Sequence, residues 1–229
     1  MSCRGLFLTF EGPEGSGKTT QSALLARRLE DAGHRILAIR EPGGTAVGEA
    51  LRDVLLNHPG QPLDVRAETL IFAAARAQLV TEVLKPALDQ GRIVLCDRFA
   101  DSTLAYQGFG HRQDLSLLRP MIEYATGGLE PSLRIFLDIP PADGLARCRT
   151  EEHKDARNRL AHAGTREWNR MDALDLSFHQ RVYEGYLELA GQDPERWLTV
   201  DAKEGPAAVH ARIWDGVSVL LPNAAEAVV

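Results

Sequence analysis

Residues Gly12-Pro13-Glu14-Gly15-Ser16-Gly17-Lys18-Thr19 match the pattern G-x-x-x-x-G-K-[ST]. Each residue type in that pattern answers a need of phosphate chemistry. Glycines let the backbone curl so that its N–H groups point inward at an anion, and the helix start that follows adds positive partial charge. Lys18 can reach the outer phosphates and take part in their transfer, while the Thr19 hydroxyl suits Mg²⁺. The reading assigns Gly12, Pro13, Glu14, Gly15, Ser16, Gly17, Lys18, Thr19 and Thr20 to the phosphates of a nucleoside triphosphate. The plainer alternative is a glycine-rich turn before a helix.

A phosphate loop works only between a strand and a helix, and the flanks supply both. Gly5–Phe10 is a short apolar stretch, and Thr20–Ala32 carries Ala23, Leu24 and Leu29 at helical spacing before Gly33. Four further segments look like the first strand: Arg35–Arg40 (RILAIR), Arg92–Asp97 (RIVLCD), Leu133–Ile139 (LRIFLDI) and Arg196–Asp201 (RWLTVD). Helix-length sequence separates them, which predicts an α/β fold: a five-stranded parallel sheet covered by helices on both faces. Ligands gather at the carboxyl ends of such strands. There the sequence places Glu11, Arg40, Asp97, Arg98, Asp138 and Asp201.

At 229 residues and 44% hydrophobic content, the chain can bury one sizeable core. The net charge of −6 argues against a nucleic-acid-binding surface. No stretch approaches the roughly 18 apolar residues of a membrane span. Cys3, Cys96 and Cys148 are odd in number and lack metal spacing, so they read as reduced thiols of a cytoplasmic protein.

The loop alone leaves kinases, GTPases, transport ATPases and synthetases open; the rest of the chain is more specific. Arg40-Glu41-Pro42-Gly43-Gly44-Thr45 follows the second strand, and Asp97-Arg98-Phe99 follows the third, leading into Asp101 to Gly108 (DSTLAYQG). Between them, Arg66–Gln78 (RAETLIFAAARAQ) has strong helix composition. Phe72 and Arg76 there are four apart, hence one turn apart on one helix face, with small alanines between them. An aromatic ring beside a guanidinium can stack a planar base and bond its edge; equally, Phe72 could be core and Arg76 a carboxylate's partner. Two arginines at strand tips, Arg40 and Arg98, suit a second phosphate because the guanidinium fork matches its oxygens.

Together these motifs resemble the thymidylate kinase family, from about Leu6 to about Ala190. The resemblance implies phosphoryl transfer from ATP to dTMP with Mg²⁺, and a homodimer. It implies dTMP contacts at Glu14, Arg40, Phe72 (stacked on thymine), Arg76 (on a base carbonyl), Arg98, Ser102, Thr103, Tyr106 (against the deoxyribose) and Gln107. It also implies a metal held through Thr19 and Asp97. The expected catalytic set is Lys18, Arg98, Glu14, Arg149 and Arg170. The domain expected from this is one P-loop kinase domain over residues 1–222, with 223–229 a flexible tail.

From Arg147 to Arg170 there are seven Arg or Lys against four Asp or Glu. That stretch reads either as a solvated insert or as a basic lid, at about 147–172, closing over the triphosphate. The family's Asp-Arg-x-Glu lid pattern is here Asn169-Arg170-Met171-Asp172, and the phosphate loop carries no arginine, so the lid must provide one. Which of Arg157, Arg159 and Arg166 approaches ATP stays open, as does packing of Arg149 on adenine or phosphate. Asp175–Tyr186 (DLSFHQRVYEGY) again resembles the family, with His179 a surface or helix-packing residue. Alternatives are a kinase for another nucleoside monophosphate or a deoxynucleoside, or a nucleotide-binding regulator without catalysis.

Overall fold

A computed structural model of the chain describes residues 5–57, 63–157 and 174–221. Five strands, β1 (Phe7–Glu11), β2 (Ile36–Arg40), β3 (Ile93–Asp97), β4 (Leu133–Asp138) and β5 (Trp197–Asp201), form one sheet in the order β2-β3-β1-β4-β5. Every pairing is parallel. The five strand segments expected from the sequence are all present. β1, β3 and β4 are buried almost throughout because each has a strand on both sides, whereas β2 and β5, at the edges, are only partly covered.

The helices are α1 (Lys18–Asp31), α2 (Ala46–Asn57), α3 (Val65–Leu79), α4 (Lys85–Asp89), α5 (Ala100–Thr103), α6 (Leu115–Thr126), α7 (Pro141–Arg157), α8 (Leu176–Gln192) and α9 (Pro206–Ser218). Two π-helical segments, Val80–Leu84 and Leu104–Gly110, continue α3 into α4 and extend α5. Side chains alternate across each strand, so the sheet feeds two opposed cores. Leu8, Phe10, Leu95, Ile135 and Leu137 pack with Leu25 and Leu29 of α1 and Ile213 and Val217 of α9. On the other face Phe7, Val94 and Cys96 pack with Leu79, Leu84 and Leu88, and Phe136 packs with Tyr106, Val182 and Tyr186. Both sheet faces are therefore covered.

Register brings the chemistry together. Phe10 pairs with Asp97, Arg40 pairs with Asp97, and Glu11 pairs with Phe136. The loop that leaves β1 thus emerges at the middle of the sheet, flanked by the ends of β3 and β4. α3 and α8 start on side-chain caps: Asp64 accepts from Arg66 N (2.9 Å) and Asp175 from Phe178 N (2.7 Å). The segment 158–173, most of the expected lid, and the tail 223–229 lie outside the described residues.

Candidate active site

Between β1 and α1 the backbone takes conformations that demand glycine: φ is 68° at Gly15 and 91° at Gly17, the residue capping α1. A Cβ on Gly15 would stand 2.0 Å from the Gly144 carbonyl oxygen, because the first turn of α7 packs directly on the loop. Lys18 arcs back over it, its Nζ donating to Gly12 O (3.1 Å), Pro13 O (2.8 Å) and Ser16 Oγ (3.2 Å). Helix α1 begins at Lys18, so its N-terminus and the glycine amides share one opening.

Beside that opening the Thr19 hydroxyl donates to Asp97 Oδ2 at 2.6 Å. Both groups are hard oxygen donors, and among the described residues no cluster of three or more His, Cys, Asp or Glu is placed to cage a metal. This donor chemistry fits Mg²⁺, which keeps most of its ligands as water and phosphate oxygens.

Arg98 stands directly after β3 with a left-handed backbone, φ 70°, unusual for a side-chain-bearing residue and characteristic of functional positions. Its Nη1 donates to Gly12 O (3.1 Å), Tyr186 OH (3.2 Å) and Ser102 Oγ (3.3 Å). Its Nη2 donates to Glu14 Oε1 and Tyr106 OH, both at 2.9 Å, and Tyr106 OH donates to the same Glu14 oxygen at 2.8 Å. Burial works against the guanidinium charge, but Glu14, followed by Tyr106, Tyr186 and Asp97, holds Arg98 protonated well above the ordinary arginine range. One permanent cation is thereby fixed at the edge of the phosphate loop.

Beneath it lies Glu11, fully buried. It accepts from Phe99 N (2.9 Å), Ser102 Oγ (2.7 Å) and Tyr186 OH (3.1 Å). Burial, then the nearby Asp101, pushes its carboxyl up to about 7 against the pull of Ser102, Arg98 and the Phe99 amide. Asp101 in turn accepts from Arg134 Nε at 2.7 Å.

The third part of the site is the face of α3. Phe72 is half-buried and, among the described residues, belongs to none of the three apolar clusters. Arg76 is 2% exposed. Its Nε and Nη2 grip Glu41 Oε2 (2.9 and 2.7 Å), Nη2 also donates to Phe99 O (3.1 Å), and Nη1 donates to Thr103 Oγ1 (3.0 Å). These four contacts leave one Nη1 hydrogen. Gln107 donates through Nε2 to Glu68 Oε1 at 2.9 Å. Arg40 is half-exposed, donating to Pro42 O (3.1 Å) and Glu49 Oε2 (3.3 Å).

The structure therefore gathers Glu14, Lys18, Thr19, Asp97, Arg98, Ser102 and Tyr106 at one end of the sheet, with Phe72, Arg76, Thr103 and Gln107 on the adjoining helices. Arg149 is exposed on α7; Arg147 ties that helix to the segment after β5 by donating to Ala202 O (2.9 Å) and Lys203 O (3.4 Å). Arg170, Arg159, Arg166 and the Arg157 side chain lie outside the described residues. His179 is buried in helix packing, 1% exposed.

Sequence reasoning passed over two residues at this end of the sheet. Tyr186, on α8, closes the family-like run Asp175–Tyr186, but nothing in that run pointed to its contact with Arg98. Arg52 shares the Pro42 carbonyl with Arg40, donating at 3.0 Å, and its position three residues after Glu49 was a signal that could have been read.

Comparison with known proteins agrees with this geometry. The family pattern described as "Thymidylate kinase" matches residues 10–213, which span every site group just described and all of the sheet except the start of β1. The thymidylate kinase of Roseiflexus castenholzii is 50% identical over 208 residues, covering 91% of this chain and 90% of that protein. That of Deinococcus radiodurans is 46% identical over 215 residues, covering 94% and 97%. The crystal structure of thymidylate kinase from Ehrlichia chaffeensis superposes with a TM-score of 0.74 at 30% identity, covering 93% of this chain and 98% of that one. With sequence, sheet order and phosphate loop all in agreement over nearly the whole length, the chain belongs to the thymidylate kinase family.

Proposed function

We propose that the protein transfers the γ-phosphoryl group of ATP to dTMP, giving dTDP and ADP, by direct in-line displacement. The observation that carries this reading is the placement of Arg98, bonded to the first glycine of the phosphate loop at 3.1 Å and to Glu14 within it. A guanidinium there borders the loop that would cradle the donor phosphates, and the next residue, Phe99, accepts through its carbonyl from Arg76 of α3 at 3.1 Å.

The acceptor is a phosphate monoester with a second pKa near 6, so at neutral pH it is mostly dianionic and needs no base to become a nucleophile. Catalysis reduces to alignment and to neutralising charge over a loose transition state. Lys18 leaves its loop carbonyls for the outer phosphates of ATP. Arg98 and Arg40 hold the acceptor phosphate, and Glu14, fixed by Arg98 and Tyr106, faces the sugar. Tyr106 crowds a 2′-hydroxyl, Phe72 stacks on the pyrimidine, and the remaining Arg76 hydrogen meets a base carbonyl, with Ser102, Thr103 and Gln107 completing that pocket. Thr19 and Asp97 would hold Mg²⁺, which when bound offsets charge on the transferring phosphates. Arg149 and Arg170 are the lid arginines assigned to the transition state.

We read residues 1–222 as one domain with its lid at about 147–172. A homodimer is supported by apolar side chains exposed on α3 and on the two helices packed against it: Leu70 on α3, Val47 and Val54 on α2, Leu117 and Tyr124 on α6. Among the described residues no helix is long and apolar enough to cross a membrane. The buried free thiols of Cys96 and Cys148 fit a cytoplasmic setting. The test is turnover with ATP·Mg²⁺ against dTMP, dUMP, UMP, dCMP and AMP. Preference for dTMP is expected; equal use of dTMP and UMP, or preference for AMP, would refute it.

A further inference from the structure

Helix α3 presents a stripe at one-turn intervals: Glu68, Phe72, Arg76. Facing it, the segment from α5 into Leu104–Gly110 presents Thr103 and Gln107, also four apart. Two rungs join them: Arg76 Nη1 to Thr103 Oγ1 at 3.0 Å and Gln107 Nε2 to Glu68 Oε1 at 2.9 Å. Phe72 lies between the rungs in the sequence of α3. Glu68 and Gln107 are 1% and 2% exposed, so the second rung is desolvated. His111 Nε2 faces the same carboxylate oxygen at 3.8 Å.

A primary amide has two chemically opposite ends, and rotation by half a turn exchanges them. Glu68 Oε1 takes the NH₂ end of Gln107 at 2.9 Å, which turns the amide carbonyl the other way. In a buried pocket this orientation is expensive to reverse: the flipped amide would set carbonyl against carboxylate. We propose that Glu68 is the positioning residue that sets base specificity, fixing Gln107 so that an acceptor faces the pyrimidine ring. The inference rests on the reading of Gln107 as a base contact. A base with a protonated N3 and a carbonyl at C4, as in thymine and uracil, then meets an acceptor at Gln107 and a donor at Arg76. A 4-aminopyrimidine presents a lone pair at N3 and an amine at C4, and both mismatch.

The test compares kcat/KM for dTMP and 5-methyl-dCMP, two acceptors that share the methyl group and differ only in this ring edge. Glu68→Gln keeps size but lets its amide either donate or accept, so Gln107 can show either end to the base. The dTMP preference should fall on the order of tenfold or more, with the ATP KM unchanged. The exchange Glu68→Gln with Gln107→Glu restores an acceptor-only group at position 107 held by an amide donor. It should regain the preference, an outcome that a merely structural role for Glu68 would not give. Thermal melting identifies any variant that does not fold, and the exchange variant then carries the test. An unchanged ratio in folded Glu68→Gln, or no recovery in the exchange, would overturn the proposal. Gln107→Leu separates the two layers: a ratio altered there but not in Glu68→Gln removes Glu68 while leaving Gln107 as the base reader. A ratio altered in neither removes the base contact itself.

Discussion

Glu11→Gln tests the buried network beneath Arg98 through stability rather than activity. Glu11 ends β1 with no exposure and with Phe99 N, Ser102 Oγ and Tyr186 OH as donors. The charged groups facing it are Asp101, which opposes ionisation, and Arg98, which favours it; burial dominates both and lifts the carboxyl from 4.5 to about 7. The folded state therefore holds a proton that the unfolded chain has released. This contribution to stability is fully present below pH ~4.5 and is lost as pH rises through about 7. At about 1.4 kcal/mol per pH unit, the span is worth on the order of 3 kcal/mol. Glutamine approximates the protonated acid in shape and charge, so the variant should lack this slope. The assay is urea unfolding of both proteins from pH 4.5 to pH 8. The wild-type stability minus that of Glu11→Gln should fall across the window, mostly between pH 5 and 7. Parallel curves would show that Glu11 ionises without penalty and that the account of the buried network is wrong.

Lys18→Ala removes the cation that spans Gly12 O, Pro13 O and Ser16 Oγ. It should cut kcat by roughly 10²–10³-fold or more while circular dichroism stays unchanged; retained turnover would contradict the phosphate-loop assignment. Phe72→Ala deletes a half-buried ring outside the apolar clusters, so its effect on melting should be small. Its dTMP KM should rise roughly 10- to 100-fold, as loss of base stacking demands, and a selective effect on the ATP KM would reverse the assignment of the two sites.

The sheet was legible because each strand is a compact apolar run and each crossover is helix-length. The loop was legible because φ values near 68° and 91° leave glycine as the natural residue, so geometry is written into Gly15 and Gly17. Strand-tip charges such as Asp97 and Arg98 were visible for the same reason: polarity that ends an apolar run is local information. Partnerships across the fold were not. That Arg76 spends most of its hydrogens on Glu41, Phe99 O and Thr103 depends on three separate elements meeting, and no spacing along the chain encodes it. Tyr186 reaches Arg98 across 88 positions for the same reason. Glu11 was seen as a strand-end acid, but only its burial reveals that the carboxyl is held near neutrality.

The account turns on Arg98 being the group that reads the acceptor's phosphate, and calorimetric binding of dTMP and of thymidine isolates that contact. Wild type should bind dTMP far more tightly than thymidine. In Arg98→Ala that difference should shrink by roughly 10- to 100-fold, the worth of charge-assisted bonds to a phosphate, while thymidine binds much as before. Repeating the pair in Arg98→Ala with Glu14→Gln removes the carboxylate left without its partner, so any remaining loss belongs to the guanidinium itself. A dTMP-over-thymidine preference that survives both substitutions would place the acceptor phosphate elsewhere and contradict the account.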